Sequence, residues 1–522
     1  MSRMFTGLDM HKPWLKERGS GFLLHVSALP SASGTGNLGV GSRKWLNFLK
    51  SCGQNYWQVL PVGPTGFGNS PYSSLSAFAG NPLLLDFEGL VDLGLLKSQN
   101  LKIFDDLPHD RVNFQDLELS VNQLLEKSYK TFIDSDIDEI PLYGSFSAFR
   151  SDNAFWLDDY CLYRALKTRF EQKPWYEWPA DFRDIEKARE QKLTLSDGHY
   201  VQFHAFQQYL FEGQWKQLLC DAHEQDIGII GDTPIFVSHD SADTWSNPDI
   251  FALKADGQVE FRAGVPPDYF SSTGQLWGNP VYRWDVLKST GYDWWMKRLQ
   301  RDLSRFSHLR LDHFRAFHNY WSIPDSAESA RTGTWEAGPG LPFFNELHSQ
   351  IPEPRIIAED LGEMVPEVYE LRDATGFPGM KVLQFAFFGD PKNPHLPHNY
   401  DSANCVVFPG THDNNTSAGW YASAPESIRD NYRRYLGVDG GSPSWDLIRA
   451  ASASVARLAI YPMQDLLGLG TDARFNTPGV PSGNWSWRCT RENLDKAHAD
   501  SSEYLMELMR MHGRLPGTNE SS

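Results

Sequence analysis

The sequence has few cysteines and no long apolar run. Its five cysteines are scattered without CxxC spacing, which argues against a disulfide framework or a zinc ribbon and favours a reducing compartment. No segment approaches the roughly 20 apolar residues of a membrane span, and the N-terminus has no apolar stretch long enough for a signal peptide. We therefore expect a soluble, cytoplasmic protein.

Positive charge is scarce, and this narrows the choice of partner. Lys and Arg number 48 against 66 Asp and Glu, which gives a net charge of −18. A field of this sign repels phosphate backbones and anionic lipids, so nucleic acids and membranes are poor partners. Aromatic residues make up 13% of the chain, many of them in Gly/Pro-rich loops, where rings suit the flat, partly apolar face of a sugar. A neutral substrate fits best.

Several familiar catalytic motifs are missing or incomplete. The chain has no HExxH, no Cys/His cluster with zinc spacing and no GxSxG elbow, so we expect no metal and no serine hydrolase. The segment GTGNLG at 34–39 matches the GxGxxG of dinucleotide-binding proteins. The next strand-like run, however, ends without the Asp or Glu that would hold a ribose. We interpret the segment as a flexible glycine turn and expect no cofactor.

What the sequence does contain is eight short apolar runs separated by longer stretches. Runs rich in Val, Ile and Leu with long connections are typical of parallel strands, and eight such units close a (β/α)₈, or TIM, barrel. The runs span residues 21–29, 55–62, 227–237, 308–314, 355–360, 380–388, 405–413 and 457–467. We predict an α/β fold in which a single catalytic barrel covers residues 1–522, with large, mainly helical insertions between strands.

Two connections are unusually long. Residues 63–226 read as a mainly helical insertion after the second strand, and residues 238–307, rich in Pro, Gly and Trp, as an insertion after the third. Long loops of compact barrels usually build and cover the active site. In the stretch 269–284, Trp277 stands between Gly274 and Gly278, which predicts a lid over a bound sugar, although simple packing also accounts for a tryptophan.

Active sites of such barrels lie at the carboxyl ends of the strands. A strand-end acid taken alone is more often a cap or an ion-pair partner than a catalyst. Three together suit glycosidic bond cleavage, in which one acid protonates the leaving oxygen and another carboxylate attacks the anomeric carbon. The polar residues that close the runs are His25, Gln58, Asp232, Arg310, Asp312, Glu359, Asp360, His412, Asp413, Gln464 and Asp465.

The neighbours of three of these acids suggest separate roles. Asp312 shares a strand face with Arg310, and an adjacent guanidinium keeps a carboxylate ionised, as a nucleophile must be. Glu359 follows an apolar run with no basic residue beside it, a setting that raises the pKa and suits a general acid. Asp413, beside His412, is free to hold sugar hydroxyls.

The run FSHLRLDHFRAF at 306–317 places two charges within a strand. Alternation puts Leu309 and Leu311 on one face and Arg310 and Asp312 on the other. We expect the leucines to face the helices of the barrel. We expect the charged pair to point into the mouth and to be solvated until a substrate enters, because unpaired buried charge is costly.

Taken together, several strings resemble the amylomaltase, or 4-α-glucanotransferase (disproportionating enzyme), family, glycoside hydrolase family 77. They cover nearly the whole chain in order. The strings are LLHVSALPS (23–31), GTGNLG (34–39), YWQVLPVGPTG (56–66), SPYSSLSAFAGNP (70–82), GDTPIFV (231–237), GQLWGNPVYRW (274–284), LRLDHFRAF (309–317), AEDLG (358–362), THDNNT (411–416), QDLLGLG (464–470) and GNWSWR (483–488).

The resemblance implies a retaining (β/α)₈ enzyme without a metal, which cleaves an α-1,4-glucan and passes it to glucose or a maltooligosaccharide. It implies Asp312 as the nucleophile, Glu359 as the acid/base and Asp413 as the third carboxylate. The residues implied to surround the glucan or shape its path are Tyr72, Asp232, Trp277, Arg310, His313, His412, Asn476 and Pro478.

The sequence departs from the family pattern at one loop, and two alternative functions stay open. Phe67 and Asn69 stand where some relatives have tyrosine and aspartate, so an outer glucan contact is not carried over to Phe67. An α-1,4-glucan hydrolase would use the same cleavage residues on the same barrel. A glucan-binding protein without activity is the alternative from another class, and the presence of all three carboxylates argues against it.

Overall fold

Eight parallel strands form the central sheet. The computed structural model describes residues 11–267, 272–362 and 364–515. The strands are β1 (Gly19–Leu23), β2 (Tyr56–Gln58), β3 (Gly228–Thr233), β4 (His308–Leu311), β5 (Ile356–Ala358), β6 (Gly379–Val382), β7 (Cys405–Phe408) and β8 (Leu458–Pro462). Each overlaps one of the eight apolar runs. Each run extends beyond the carboxyl end of its strand, because the chain turns into a loop where the active site would lie.

The sheet closes on itself. Its strand order is β5-β4-β3-β2-β1-β8-β7-β6, with every hydrogen-bonded pair parallel. The two outer strands meet where the backbone N–H of Ala358 donates to the carbonyl of Pro378 at 2.9 Å. The predicted (β/α)₈ barrel is therefore confirmed, and the carboxyl ends of all eight strands open at one mouth.

Helices surround the barrel in most of the connections. Asp293–Arg305, before β4, is a clear example: Trp295, Met296 and Leu299 are buried on one face at helical spacing. The other helices outside the β2–β3 connection are Val40–Ser51, Ala242–Ser246, Trp284–Ser289, Leu341–Gln350, Pro366–Thr375, Ser417–Ser423, Glu426–Leu436, Pro443–Ala453, Met463–Leu466 and Arg491–Met511. Within the described residues, no helix is long and apolar enough to cross a bilayer.

The connection from β2 to β3 carries seven helices in the described chain. The longest, Leu195–Glu224, starts with a reciprocal cap in which Thr194 and Asp197 each accept from the other's backbone N–H, at 3.1 and 2.9 Å. The other six are Phe87–Asp92, Phe114–Asp134, Phe146–Asp152, Ala154–Arg169, Ala180–Arg183 and Ile185–Glu190, and a two-stranded ribbon joins Glu139–Ile140 to Gly144–Ser145. The long helix leads the chain directly into β3.

A small antiparallel sheet stands beside the mouth. Its four strands, in spatial order, are Thr334–Ala337, Asn319–Pro324, Phe261–Val265 and Gln275–Pro280. Trp277 lies in the last of them, so a sheet holds this residue rather than a free glycine-hinged loop. Residues 269–271 of the predicted lid lie outside the described residues.

The glycine-rich turn at 34–39 is buried, which corrects its interpretation as a flexible turn. A Cβ added to Gly36 would lie 1.9 Å from the carbonyl oxygen of Val26, and one added to Gly39 would lie 2.4 Å from the carboxyl carbon of Asp86. The glycines thus permit close packing. The Asp86 carboxyl group also lies beside the start of helix Val40–Ser51, where a dinucleotide would place its pyrophosphate.

Candidate active site

Arg310 lies at the centre of a charge network at the carboxyl end of β4. Its Nη1 donates to both carboxylate oxygens of Asp232, at 2.8 and 2.7 Å. Its Nη2 lies 2.8 Å from Oδ1 of Asp312 and 4.0 Å from Oε2 of Glu359. These residues come from the ends of β3, β4 and β5, which are neighbours in the sheet. Three carboxylates from adjacent strand ends therefore share one guanidinium.

The side chains of the fourth run are placed partly as expected. Leu309 and Leu311 are fully buried, and Asp312 retains 27% of its side-chain exposure. Arg310 is only 5% exposed, so the prediction of a solvated arginine is wrong. Its charge is balanced by Asp232, which stands opposite it in the register of β3 and β4 and is completely buried. The charge of Arg310 is therefore neutralised by a carboxylate on the adjacent strand and not by solvent.

Burial raises the pKa of Glu359 to about 7. The sequence placed no base beside this acid, but the folded chain brings Arg310 within 4.0 Å, which partly opposes the shift, while Asp312 adds to it. Backbone N–H groups of His313 and Leu361 donate to its two oxygens at 2.7 and 2.8 Å and fix the carboxyl group. Glu359 therefore has both protonation states accessible near neutral pH, as a general acid/base requires.

His313 forms the turn that follows β4. Its backbone is left-handed, with φ 52° and ψ 51°, an uncommon conformation for a residue with a Cβ that often marks a functional turn. Burial lowers the pKa of His313 to about 4, so the ring is neutral. Its Nε2 is buried and has no hydrogen-bond partner among the residues that the structure describes. The Trp277 ring, 38% exposed, stands edge-on to it at 5.0 Å.

Asp413 and His412 form a second group at the end of β7. Oδ1 of Asp413 accepts a hydrogen bond from Nδ2 of Asn476 at 2.6 Å and lies 3.4 Å from Nε2 of His412. Asp413 is 45% exposed but is held through this oxygen, which corrects the expectation of a free carboxylate. The Tyr72 ring stacks on His412 at 5.2 Å, and its hydroxyl donates to Asp232 at 2.7 Å. Tyr72 thus joins the two groups.

The sequence did not identify two residues that hold this second group, Arg474 and Trp485. Nη2 of Arg474 donates to the carbonyl of Asp413 at 2.6 Å. The Trp485 ring packs against the Tyr72–His412 stack at 5.9 and 6.2 Å. Trp485 belongs to the string GNWSWR, which signalled the resemblance, but nothing in the residue types of the loop distinguishes these two from ordinary packing residues.

Two exposed loops form the outer rim of the site. Pro478 is exposed in the turn that follows the Asn476 loop segment. Phe67, the position of the departure, is 83% exposed in the turn 67–69. A Cβ added to Gly68 would lie 3.7 Å from the carbonyl oxygen of Pro481, so the two loops are in contact. The departure at Phe67 therefore affects the rim and leaves the carboxylates untouched.

Two of the remaining strand-end candidates, Asp360 and Asp465, contribute to the fold. Asp360 pairs with Arg372 at 2.5 Å, and Asp465 accepts from the N–H and the hydroxyl of Ser417 at 2.6 and 2.7 Å. Both acids are therefore committed to neighbouring segments of the chain. The other three candidates, His25, Gln58 and Gln464, are buried.

Comparison with known proteins identifies the family. A family model described as 4-alpha-glucanotransferase matches residues 24–494. The chain belongs to the 4-alpha-glucanotransferase family. The family enzyme of Thermus thermophilus is 45% identical over 491 residues, covering 92% of this chain and 96% of that one. That of Synechocystis sp. is 42% identical over 499 residues, covering 95% and 98%.

Solved structures agree with this assignment. The amylomaltase of Streptococcus agalactiae, solved in complex with acarbose, has a TM-score of 0.90 and 34% identity, covering 95% of this chain and 100% of that one. The amylomaltase of Corynebacterium glutamicum, at a TM-score of 0.74 and 17% identity, shares the fold. The predicted family and its 4-alpha-glucanotransferase activity are confirmed.

Proposed function

We propose that the protein cleaves α-1,4-glucans with retention and transfers the glucan to the 4-OH of glucose or another maltodextrin. The Arg310 guanidinium carries this proposal, since it pairs with Asp312 at 2.8 Å and lies 4.0 Å from Glu359, whose pKa is about 7. These distances place the two carboxylate oxygens at most about 7 Å apart, a bound that includes the roughly 5–5.5 Å of retaining enzymes and excludes most of the inverting range.

In the first step, an oxygen of Asp312 attacks C1 of the sugar. The C1–O4 bond breaks, its electron pair stays on O4, and Glu359 gives its proton to that oxygen. The products are a glycosyl ester, which links the glucan segment on the C1 side to Asp312, and the released sugar that carries O4. In the second step, Glu359 takes the proton of an acceptor 4-OH, whose oxygen displaces Asp312 at C1. Two displacements at one carbon restore the original α configuration.

The surrounding residues bind and orient the cleaved sugar. Asp413, fixed by Asn476, presents a carboxylate to sugar hydroxyls. Nε2 of His313, which has no hydrogen-bond partner in the described part of the chain, suits a hydroxyl partner, and Trp277 beside it offers a ring for stacking. The residues that we propose to bind the sugar or to shape the path of the glucan are Tyr72, Asp232, Trp277, Arg310, His313, His412, Asn476 and Pro478.

The proposal also assigns roles to the barrel and its two insertions and a cellular location to the protein. Residues 1–522 act as a single catalytic barrel, in which the insertion 63–226 supplies the wall that carries Tyr72 and the insertion 238–307 supplies the cover that carries Trp277. A cytoplasmic role in maltodextrin and starch metabolism is supported by the five cysteines, all unpaired in the structure.

Incubation with maltotriose distinguishes transfer from hydrolysis. Transfer gives glucose together with maltopentaose and longer oligomers, because release of glucose leaves a maltosyl ester on Asp312, which a second maltotriose intercepts. The measurement is chromatography of the products over time. Glucose and maltose without elongation would identify a hydrolase, and unchanged maltotriose would identify a binding protein.

The pKa of Glu359 predicts an alkaline limb in the pH profile. The first step needs protonated Glu359, so we expect kcat/KM for maltotriose to be maintained on the acid side of this limb and to fall as pH rises through about 7. The Glu359→Gln variant should lose this limb together with most of its activity. With maltosyl fluoride, whose leaving group needs no proton, the variant should still release about one equivalent of fluoride in a burst. An unchanged limb in the variant would assign the ionisation to another group.

A further inference from the structure

Trp335 exposes a large aromatic surface beside the mouth of the barrel. It lies in Thr334–Ala337, the edge strand of the four-stranded sheet, and is 41% exposed. Its neighbour in the sheet register is Trp321, whose ring meets it edge-on at 5.2 Å. A tryptophan left this exposed forgoes a substantial part of its hydrophobic stabilisation, which is a common property of binding surfaces.

The ring of Trp335 is held rigidly. The guanidinium carbon of Arg315 lies over the ring at 4.0 Å from its centroid. Arg315 is itself buried, and its Nε donates to Oδ1 of Asn319 at 3.1 Å. One face of the indole is therefore covered by a cation, while the exposed part keeps a fixed orientation. A ring ordered in advance loses little entropy when a ligand stacks on it.

The position of Trp335 connects it to the cleavage site. Arg315 follows Asp312 by three residues in the chain, so the two Cα atoms are at most about 11 Å apart. The sheet that carries Trp335 also carries Trp277, whose ring stands 5.0 Å from His313. Trp277 and Trp335 occupy opposite edge strands of this sheet, so it is Arg315, in contact with the Trp335 ring, that places this ring near the carboxyl end of β4.

We propose that Trp335 is a stacking platform for a glucose unit of an α-1,4-glucan, outside the units bound at the scissile bond. This inference rests on the proposed function and specifies which substrates it favours, namely long maltodextrins. A pyranose ring presents a flat C–H face that matches an indole, and a neutral sugar is compatible with the guanidinium behind the ring.

The test compares chain lengths in the Trp335→Ala variant. We expect its kcat/KM for maltoheptaose to fall about fivefold more than that for maltotriose, the size of effect given by one lost aromatic contact. Trp335→Phe should recover most of this difference, because it keeps a ring. An equal effect on both substrates, with the wild type active on maltotriose, would overturn the platform. A wild type without transfer would overturn the proposed function itself.

Tyr504 provides a matched control. It is 42% exposed, meets Trp445 edge-on at 5.2 Å and lies under Arg449 at 5.6 Å, but it belongs to the C-terminal helix. Tyr504→Ala should leave the ratio of maltoheptaose to maltotriose efficiencies at the wild-type value. A ratio that falls equally in this variant would assign the effect to general destabilisation and reject the platform.

A second measurement keeps Trp335 in place, in case Trp335→Ala does not fold. In the Asp312→Asn protein, which retains bound substrate, N-bromosuccinimide oxidation of Trp335 is followed by peptide mass spectrometry. Maltoheptaose should protect Trp335 at least about threefold better than maltotriose at equal site occupancy, since only the longer chain reaches the ring. Equal protection by the two sugars would contradict the proposal.

Discussion

Replacing Asp312 by asparagine is expected to lower kcat for maltotriose disproportionation by at least about 10⁴-fold, since it removes the nucleophile that splits one difficult displacement into two. An amide preserves the size of the side chain and can still accept from Arg310, which pairs with the native carboxylate at 2.8 Å. Maltotriose affinity, measured by calorimetry, should therefore change little compared with kcat. Near-normal turnover would remove Asp312 from the nucleophile role.

Chemical rescue identifies the role of Asp312 more directly. In Asp312→Gly, azide can enter the vacated space and attack C1 from the side that the carboxylate used. With maltosyl fluoride as donor, the C1–F bond breaks and a β-configured glycosyl azide forms, because a single displacement inverts the α centre. The anomeric configuration is read by NMR. An α-azide product, or no rescue in a folded variant that binds maltotriose, would contradict a nucleophile at this position.

Replacing Arg310 by methionine is expected to lower the free energy of unfolding by about 3–5 kcal/mol, the usual cost of removing one partner of a buried ion pair. Asp232 would then be left without its cation in a completely buried position. Transfer activity should also be lost, since Asp312 loses its partner. Urea unfolding followed by circular dichroism gives the stability, and product chromatography gives the activity.

The double variant Arg310→Met/Asp232→Asn separates lost pairing from lost packing. At neutral pH it should be more stable than the single Arg310→Met variant, because the uncompensated carboxylate is gone. Burial raises the pKa of Asp232, and Arg310 opposes this shift. Without Arg310 the shift grows, so the added penalty appears as pH rises above the unfolded pKa and vanishes below about pH 4, where the group is protonated in both states. Equal stabilities at neutral pH would show that Asp232 does not require the cation.

Arg434 supplies the control for this comparison. Its side chain is 80% exposed and pairs with Asp430 at 2.9 Å one helical turn away. Arg434→Met should change the free energy of unfolding by less than about 0.5 kcal/mol, as is typical of exposed pairs. A loss as large as that of Arg310→Met would mean that replacing any arginine by methionine perturbs this fold.

For the run 306–317, the sequence predicted the orientation of the side chains but not their partners. Alternation of side chains predicted that Leu309 and Leu311 would be buried and that Arg310 and Asp312 would share the other face. It did not identify Asp232 as the partner of Arg310, because these residues are 78 positions apart and meet through the register of β3 and β4. Local pattern fixes which way a side chain points, whereas register determines what it meets.

The partners of Glu359 and Asp413 also come from distant parts of the chain and were not predicted. The apolar run before Glu359 correctly indicated a raised pKa, but the nearby guanidinium comes from the adjacent strand. Asp413 looked free because its partner Asn476 lies 63 residues further along the chain. Arg474 and Trp485 were missed for a related reason: their part in the site is visible only after the last loop packs against the end of β7.

The sequence by itself determined the number of barrel strands, their order along the chain, the strand-end carboxylates and the family. Each of these depends on local apolar patterning or on contiguous strings, which are present in the unfolded chain. Only the tertiary structure decided which charges neutralise one another, how Glu359 acquires a pKa near 7, and that Trp277 and Trp335 share one sheet at the mouth. Burial and cross-strand register govern those properties, and both arise only when distant segments close the barrel.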